Sequence, residues 1–206
     1  MKRKIRNNSS SNKKAKNDND SDDDSDDSSE VKVFNNHIYF YVDVNIKNIL
    51  DLNMAINEFN QSDKKYDDIF LHIQSYGGNV HDALSTVDTI LNSEIPITTI
   101  VEGYVASAAT LISISGDYRY IYKNAYMLVH QLSSEFFGKK CDIDDEHKNL
   151  TQLDKRLKSL YKEHTDMDRK QIEELIQKEI ELDSETCIKY GLADEIWTTK
   201  KRRFTE

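Results

Sequence analysis

Gly103-Tyr-Val-Ala-Ser107-Ala-Ala-Thr110 is a stretch of small residues that holds one serine, shortly after an apolar run from Ile95 to Val101. Upstream, Ile69-Phe-Leu-His-Ile73 reads as a strand, closed by Gly77-Gly78. Downstream, Tyr126-Met-Leu-Val-His130-Gln131 carries a third such run onto a histidine. A serine, a histidine and a bare glycine pair, each at a strand end, are the parts that acyl transfer needs. The serine supplies a nucleophile, the histidine takes its proton, and free N–H groups stabilise the oxyanion. Each part alone is commonplace, since Gly-Gly is first of all a turn signal.

The surrounding sequence sets these parts on an alternating pattern. Ile38-Tyr-Phe-Tyr-Val42 is rich in β-branched and aromatic residues and reads as a strand. Asn48 to Phe59 carries Ile49, Leu52, Ile56 and Phe59 on one helical stripe. Asp82 to Leu91 reads as a second helix, Ile97 to Val101 as a strand, and Ser107 to Ser115 as a helix packed through small side chains. Arg119 to Tyr122 and Tyr126 to Val129 are expected as short strands. This order predicts an α/β fold with parallel strands and right-handed crossovers. Chemistry in such folds gathers at the carboxyl ends of strands, where Gly78, Ser107 and His130 fall.

Among six histidines, His37 and His72 lie within predicted strands, and His147 and His164 lie on a charged helix. His81, just after the glycine pair, is the one competitor to His130 as the base.

Taken in order, Gly-Gly, Gly-x-x-Ala-Ser-Ala, Met-x-x-His-Gln and Tyr190-Gly-Leu-Ala-Asp194 resemble the proteolytic subunit of the Clp protease, ClpP. The resemblance runs over roughly residues 37 to 197. It implies a ClpP/crotonase-like spiral of βαβ units, with Ser107 as nucleophile and His130 as general base. It assigns the oxyanion hole to the backbone N–H groups of Gly78 and Ala108. Two departures stand out. The family places an aspartate eleven residues before the Tyr-Gly-Leu tyrosine, and here that position is Glu179, with Glu181 and Asp183 as alternatives. Glutamate is longer by one methylene, about 1.5 Å of reach, so the backbone must adjust if it is to orient the histidine. The family commonly has proline before the glycine pair, and here it is Tyr76. The interval from Ser107 to His130 is also slightly short, which points to a trimmed loop near Gly116-Asp117.

The resemblance further implies a serine endopeptidase working inside stacked homo-oligomeric rings, fed by a separate AAA+ unfoldase. No Gly-x-x-x-x-Gly-Lys-Ser/Thr loop occurs, so ATP chemistry would belong to that partner. The alternatives are a non-catalytic ClpP-like scaffold subunit and a crotonase-type acyl-CoA enzyme. Residues from Asp142 to about His164 form a long charged segment with one apolar edge at Ile143, Leu150, Leu153, Leu157 and Leu160, expected as a protruding handle helix that makes an oligomer contact. A helix from Arg169 to about Ile180 follows, and Ser184 is expected to cap the next.

Composition bounds the rest. The 206 residues carry a net charge of −9. Residues 1–30 hold seven Lys/Arg and eight Asp/Glu, so −1 falls there and −8 on the remainder. An acidic folded part argues against a nucleic-acid partner. Residues 1–30 are low complexity and nearly free of apolar side chains, so they are expected to be disordered. Their basic clusters raise nuclear import as an alternative to a solvated tail. Residues 31–199 form the expected protease domain and 200–206 a basic end. Cys141 and Cys187 form neither a disulfide framework nor a metal-ligand spacing, which points to reduced thiols in an intracellular compartment, the cytoplasm foremost. No apolar run reaches spanning length, and neither cofactor nor metal is expected.

Overall fold

The computed structural model describes residues 31–198. The expected tail over 1–30 and basic end over 200–206 lie outside the described residues. Eight strands form one sheet: β1 (Lys32–Phe34), β2 (His37–Phe40), β3 (Ile69–Ser75), β4 (Ile97–Ala106), β5 (Tyr118–Ile121), β6 (Tyr126–Leu128), β7 (Leu182–Asp183) and β8 (Glu195–Ile196). Six helices connect them: α1 (Ile46–Gln61), α2 (Val80–Leu91), α3 (Ala108–Ile114), α4 (Lys140–His164), α5 (Arg169–Lys178) and α6 (Ser184–Lys189). The main path runs β1-β2-β3-β4-β5-β8. The pairs from β2 to β8 along it are parallel, as the βαβ alternation requires. Only the β1–β2 hairpin and the β6–β7 pair are antiparallel.

The long strand β4 decides the shape of the site. Its first half pairs with β5, Thr98 to Val101 against Tyr118 to Ile121. Its second half pairs with β6, Tyr104 to Ala106 against Tyr126 to Leu128. The switch falls at Glu102-Gly103, where Gly103 has φ +55 and a Cβ would meet the Gln74 side chain at 2.6 Å. The sequence pattern predicts this strand only from Ile97 to Val101. The chain instead bends there and pairs for three more residues, delivering Ser107 to the strand's carboxyl end.

The core follows from alternation and stripes. Ile38, Leu71, Ile73, Ile97 and Ile100 in the strands are fully buried, as are Leu52 and Ile56 of α1. Each such side chain contributes about 1.5–3 kcal/mol on burial. All seven residues of α3 are buried, which only small and aliphatic side chains permit. Near Gly116-Asp117, α3 connects to β5 through three residues, Ser115 to Asp117, and the Asp117 carboxylate accepts the Ile97 N–H at 2.8 Å.

Two expectations are corrected at helix ends. The third helix starts at Ala108, with Ser107 outside it in a non-helical conformation. Helix α6 is capped by Asp183, which accepts the Thr186 N–H at 2.9 Å. Ser184 is buried, and its hydroxyl donates to the Lys123 carbonyl at 3.0 Å. The Tyr-Gly-Leu-Ala-Asp segment has a structural part. Asp194 accepts from the Arg119 backbone N–H at 2.8 Å and from its guanidinium, which also donates to the carbonyls of Gly191 and His164. One arginine thus ties β5, the end of α4 and the C-terminal turn together.

A polar chain links β2, β3 and β4. The His72 Nδ1–H donates to Glu102 at 2.7 Å, and the Tyr41 hydroxyl donates to the same carboxylate. His72 Nε2 is then the acceptor for the His37 Nδ1–H at 2.8 Å. Burial, and then the neighbouring His72, hold the His37 pKa below its ordinary 6.5. A lowered histidine pKa means that folding favours the neutral ring. That stability is present above pH 6.5 and is lost as pH falls through the lower folded value. Urea denaturation at pH 7.5 and pH 5.5 should therefore show a drop in midpoint on acidification, and the drop should shrink in His37→Phe. An equal drop in both proteins would remove this pair as a source of acid sensitivity.

Candidate active site

Parallel pairing of β4 with β6 brings two strand ends side by side. The Ser107 N–H donates to the Leu128 carbonyl at 2.9 Å, and His130 lies two residues further on. Ser107 has φ 55 and ψ −130, a conformation that costs a non-glycine residue about 1–3 kcal/mol. The turn is sharp enough to leave the serine outside the helix, and its hydroxyl makes no capping bond. A strained strand-to-helix turn of this kind presents an Oγ to an open space.

The glycine pair packs directly against this turn. Gly77 has φ +95, and a Cβ there would lie 2.6 Å from Ser107 Cβ and 2.7 Å from the Ala106 carbonyl oxygen. Gly78 has φ +145, and a Cβ there would lie 2.2 Å from the Val44 carbonyl oxygen. Both positions therefore exclude any side chain. Val44 bonds around Gly78: its N–H donates to the Gly77 carbonyl and its carbonyl accepts the Asn79 N–H, both at 2.8 Å. The Gly78 N–H is left without a backbone acceptor and faces away from Val44. Ala108 is the first residue of α3, so its N–H has no partner within the helix.

Ser107, Ala108, Gly78 and His130 line one cavity of about 80 Å³. Leu111, Leu157 and Ile176 supply apolar wall, and Asp154 of α4 adds a carboxylate paired with Lys158 at 2.7 Å. The His130 Nδ1 atom lies 2.8 Å from the Gln131 carbonyl oxygen. A carbonyl only accepts, so Nδ1 carries a proton, and in the neutral ring it is Nε2 that holds the lone pair. That is the tautomer a general base requires. Ser107 and His130 share the cavity without a direct hydrogen bond between them.

The remaining acidic positions fall elsewhere. Glu179 is exposed and ends α5 in the left-handed region, with φ 44 and ψ 47, and it does not line the cavity. Glu181 lies beside the Tyr104 hydroxyl. Asp183 is engaged as the α6 cap, and the Thr186 bonds hold its carboxyl below the usual range. His81 is exposed on the first turn of α2, in a groove with Glu146, Asn149 and Leu153. Cys187 is buried, which pushes its thiol up to about 12 and makes it inert, while Cys141 is exposed.

A family model described as Clp protease matches residues 25–200. The chain belongs to the Clp protease family. Its α/β sheet, with helices on the crossovers, is the architecture expected of a ClpP-like chain. Membership of the Clp protease family supports a ClpP-like protease at the family level. Among the cavity-lining residues that sequence reasoning did not single out are Asp154 and Tyr161. The signal for Tyr161 was present: it stands one helical turn, i+4, after Leu157, on the part of α4 that turns inward. Among the described residues, no helix is long and apolar enough to cross a membrane, and no group of three or more His, Cys, Asp or Glu could hold a metal ion.

Proposed function

We propose that this chain is a serine endopeptidase that cuts unfolded polypeptides. The observation that carries the reading is the single cavity shared by Ser107, His130, Gly78 and Ala108, residues from three separate strand ends. His130 Nε2 takes the proton from the Ser107 hydroxyl as Oγ attacks the scissile carbonyl carbon. The carbonyl π bond breaks and its electrons move to oxygen. The N–H groups of Gly78 and Ala108 stabilise that oxyanion. The imidazolium then protonates the leaving amine, and water releases the acyl group by the same base. Purified protein incubated with a fluorogenic peptide and with an acyl-CoA ester tests the class: peptide hydrolysis supports the reading, and acyl-CoA turnover alone would replace it.

The orienting role is assigned to Glu179, which stands at the family's aspartate position. The Gln131 carbonyl already fixes the tautomer of His130, and a carboxylate would add stabilisation of the imidazolium. Glu179→Gln should lower turnover by up to about 10⁴-fold if Glu179 swings to His130 during the reaction. Parallel assays of Glu181→Gln, Asp183→Asn and Asp154→Asn identify the orienter if it is another acid. Wild-type rates in all four would leave a Ser–His dyad supported by a backbone carbonyl, or the weak protease of a mainly structural subunit.

Assembly into stacked rings, served by an AAA+ unfoldase, is the partner reading that fits the family. Helix α4 supports it through its uneven burial. Its C-terminal part packs inward through Leu160 and Tyr161, while Ile143 is 48% exposed and Leu150 and Leu153 are only half-buried. The expected apolar edge therefore divides, and Leu157 belongs to the cavity. Leu150→Asp with Leu153→Asp would place two charges on the outer part, costing several kcal/mol in a dry contact. Sedimentation should then give particles of about half the mass. Unchanged mass in a folded variant would remove this edge as the stacking surface.

A further inference from the structure

The peptide group between Ser107 and Ala108 carries both a carbonyl and the proposed oxyanion donor. In a trans peptide the C=O and the N–H point in opposite directions, so whatever fixes one aims the other. The Ser107 carbonyl is held by two donors. The Thr110 N–H reaches it at 3.0 Å and the Thr110 hydroxyl at 2.6 Å. The Tyr161 hydroxyl lies 2.6 Å from Thr110 Oγ1. Thr110 has one hydroxyl proton, and the Ser107 carbonyl can only accept, so the Tyr161 hydroxyl donates to Thr110 Oγ1. Both side chains are buried, Thr110 at 0% and Tyr161 at 4% exposure.

We infer that Tyr161 and Thr110 are positioning residues whose hydroxyl relay, Tyr161 to Thr110 to the Ser107 carbonyl, aims the Ala108 N–H into the oxyanion hole. The inference rests on the proposed role of Ser107. Three observations join in it. The Ser107 backbone is strained and needs restraint on both flanking peptide groups. On the preceding side, the Leu128 carbonyl supplies it. On the following side, the relay does. Burial pushes the Tyr161 hydroxyl up to about 12, so it stays protonated and keeps donating across the neutral range. The relay also starts on α4 and ends on the turn before α3, so it fixes the distance between the two elements that face each other across the cavity.

A donor aimed at the oxyanion acts in the transition state and hardly at all on bound substrate. The test is therefore the split between kcat and KM, with affinity for a peptide boronate as a second readout. Tyr161→Phe removes one hydroxyl of the relay and should lower kcat by about 3- to 10-fold with KM nearly unchanged. Thr110→Val removes the hydroxyl at the carbonyl and should lower kcat by about tenfold or more. Thr110→Ser should restore most of it, which a loss of packing alone would not allow. Boronate affinity should fall in parallel with kcat. Fluorophosphonate labelling of the unaltered protein separates the two levels of the argument. An adduct on Ser107 with wild-type kcat and boronate affinity in Tyr161→Phe and Thr110→Val overturns the relay alone. A rise in KM with kcat unchanged overturns it as well. No adduct on Ser107 overturns the nucleophile assignment and the relay with it.

Discussion

Ser107→Ala is expected to abolish peptide hydrolysis, by on the order of 10⁶-fold, with the fold intact. The substitution removes one oxygen that takes no part in capping α3. The backbone bonds that hold the turn involve the Ser107 N–H and carbonyl, which alanine keeps. The strain at φ 55 is the same for alanine as for serine. Circular dichroism and particle mass should therefore match wild type while the fluorogenic assay goes silent. Turnover at the original rate would remove Ser107 as nucleophile and move the chemistry elsewhere.

His130→Ala is expected to cost about as much, because a nucleophile and its base act as a unit. Without Nε2, the Ser107 hydroxyl keeps its proton near neutral pH. His81→Ala is the control. His81 is exposed on α2, in a groove with residues of α4 that Ser107 does not line, and its loss should leave turnover within about twofold. A damaging His81→Ala beside an active His130→Ala would transfer the base to the start of α2.

Much of this architecture is legible in the amino-acid sequence. The strand over Ile69–Ile73 and the helices around Asn48–Phe59 and Asp82–Leu91 come from periodicity strong enough to survive tertiary context. The short strands β1, β7 and β8 were not legible, because two or three residues carry no period and gain strand character only from the partner they meet. The continuation of β4 through Gly103 was hidden for a different reason. A bend that lets one strand serve two partners uses the same residues as a strand end. The cap of α6 was misplaced by one residue because aspartate and serine are equally good caps, and the Lys123 carbonyl had already claimed the Ser184 hydroxyl.

The candidate site divides in the same way. Gly78, Ser107, Ala108 and His130 were legible because they sit in short motifs at strand ends. The reason for the glycines was only partly so. A Cβ at Gly78 would meet the Val44 carbonyl, and it is Gly77 that packs against Ser107. Tyr161 and Asp154 lie far along the chain on a helix expected to make an oligomer contact, and only the inward turn of its last part brings them to the cavity. Glu179 was placed by offset from Tyr190, and a one-dimensional offset does not fix where a left-handed helix end directs its side chain.

The central claim is that Ser107 is an activated nucleophile, and covalent capture tests it most directly. The full-length protein would be treated with a fluorophosphonate and the adduct mapped by peptide mass spectrometry. The account predicts one adduct, on Ser107, that is strongly slowed in His130→Ala and unaffected in His81→Ala. An unmodified Ser107 in folded, assembled protein, or an adduct on another serine, would contradict it.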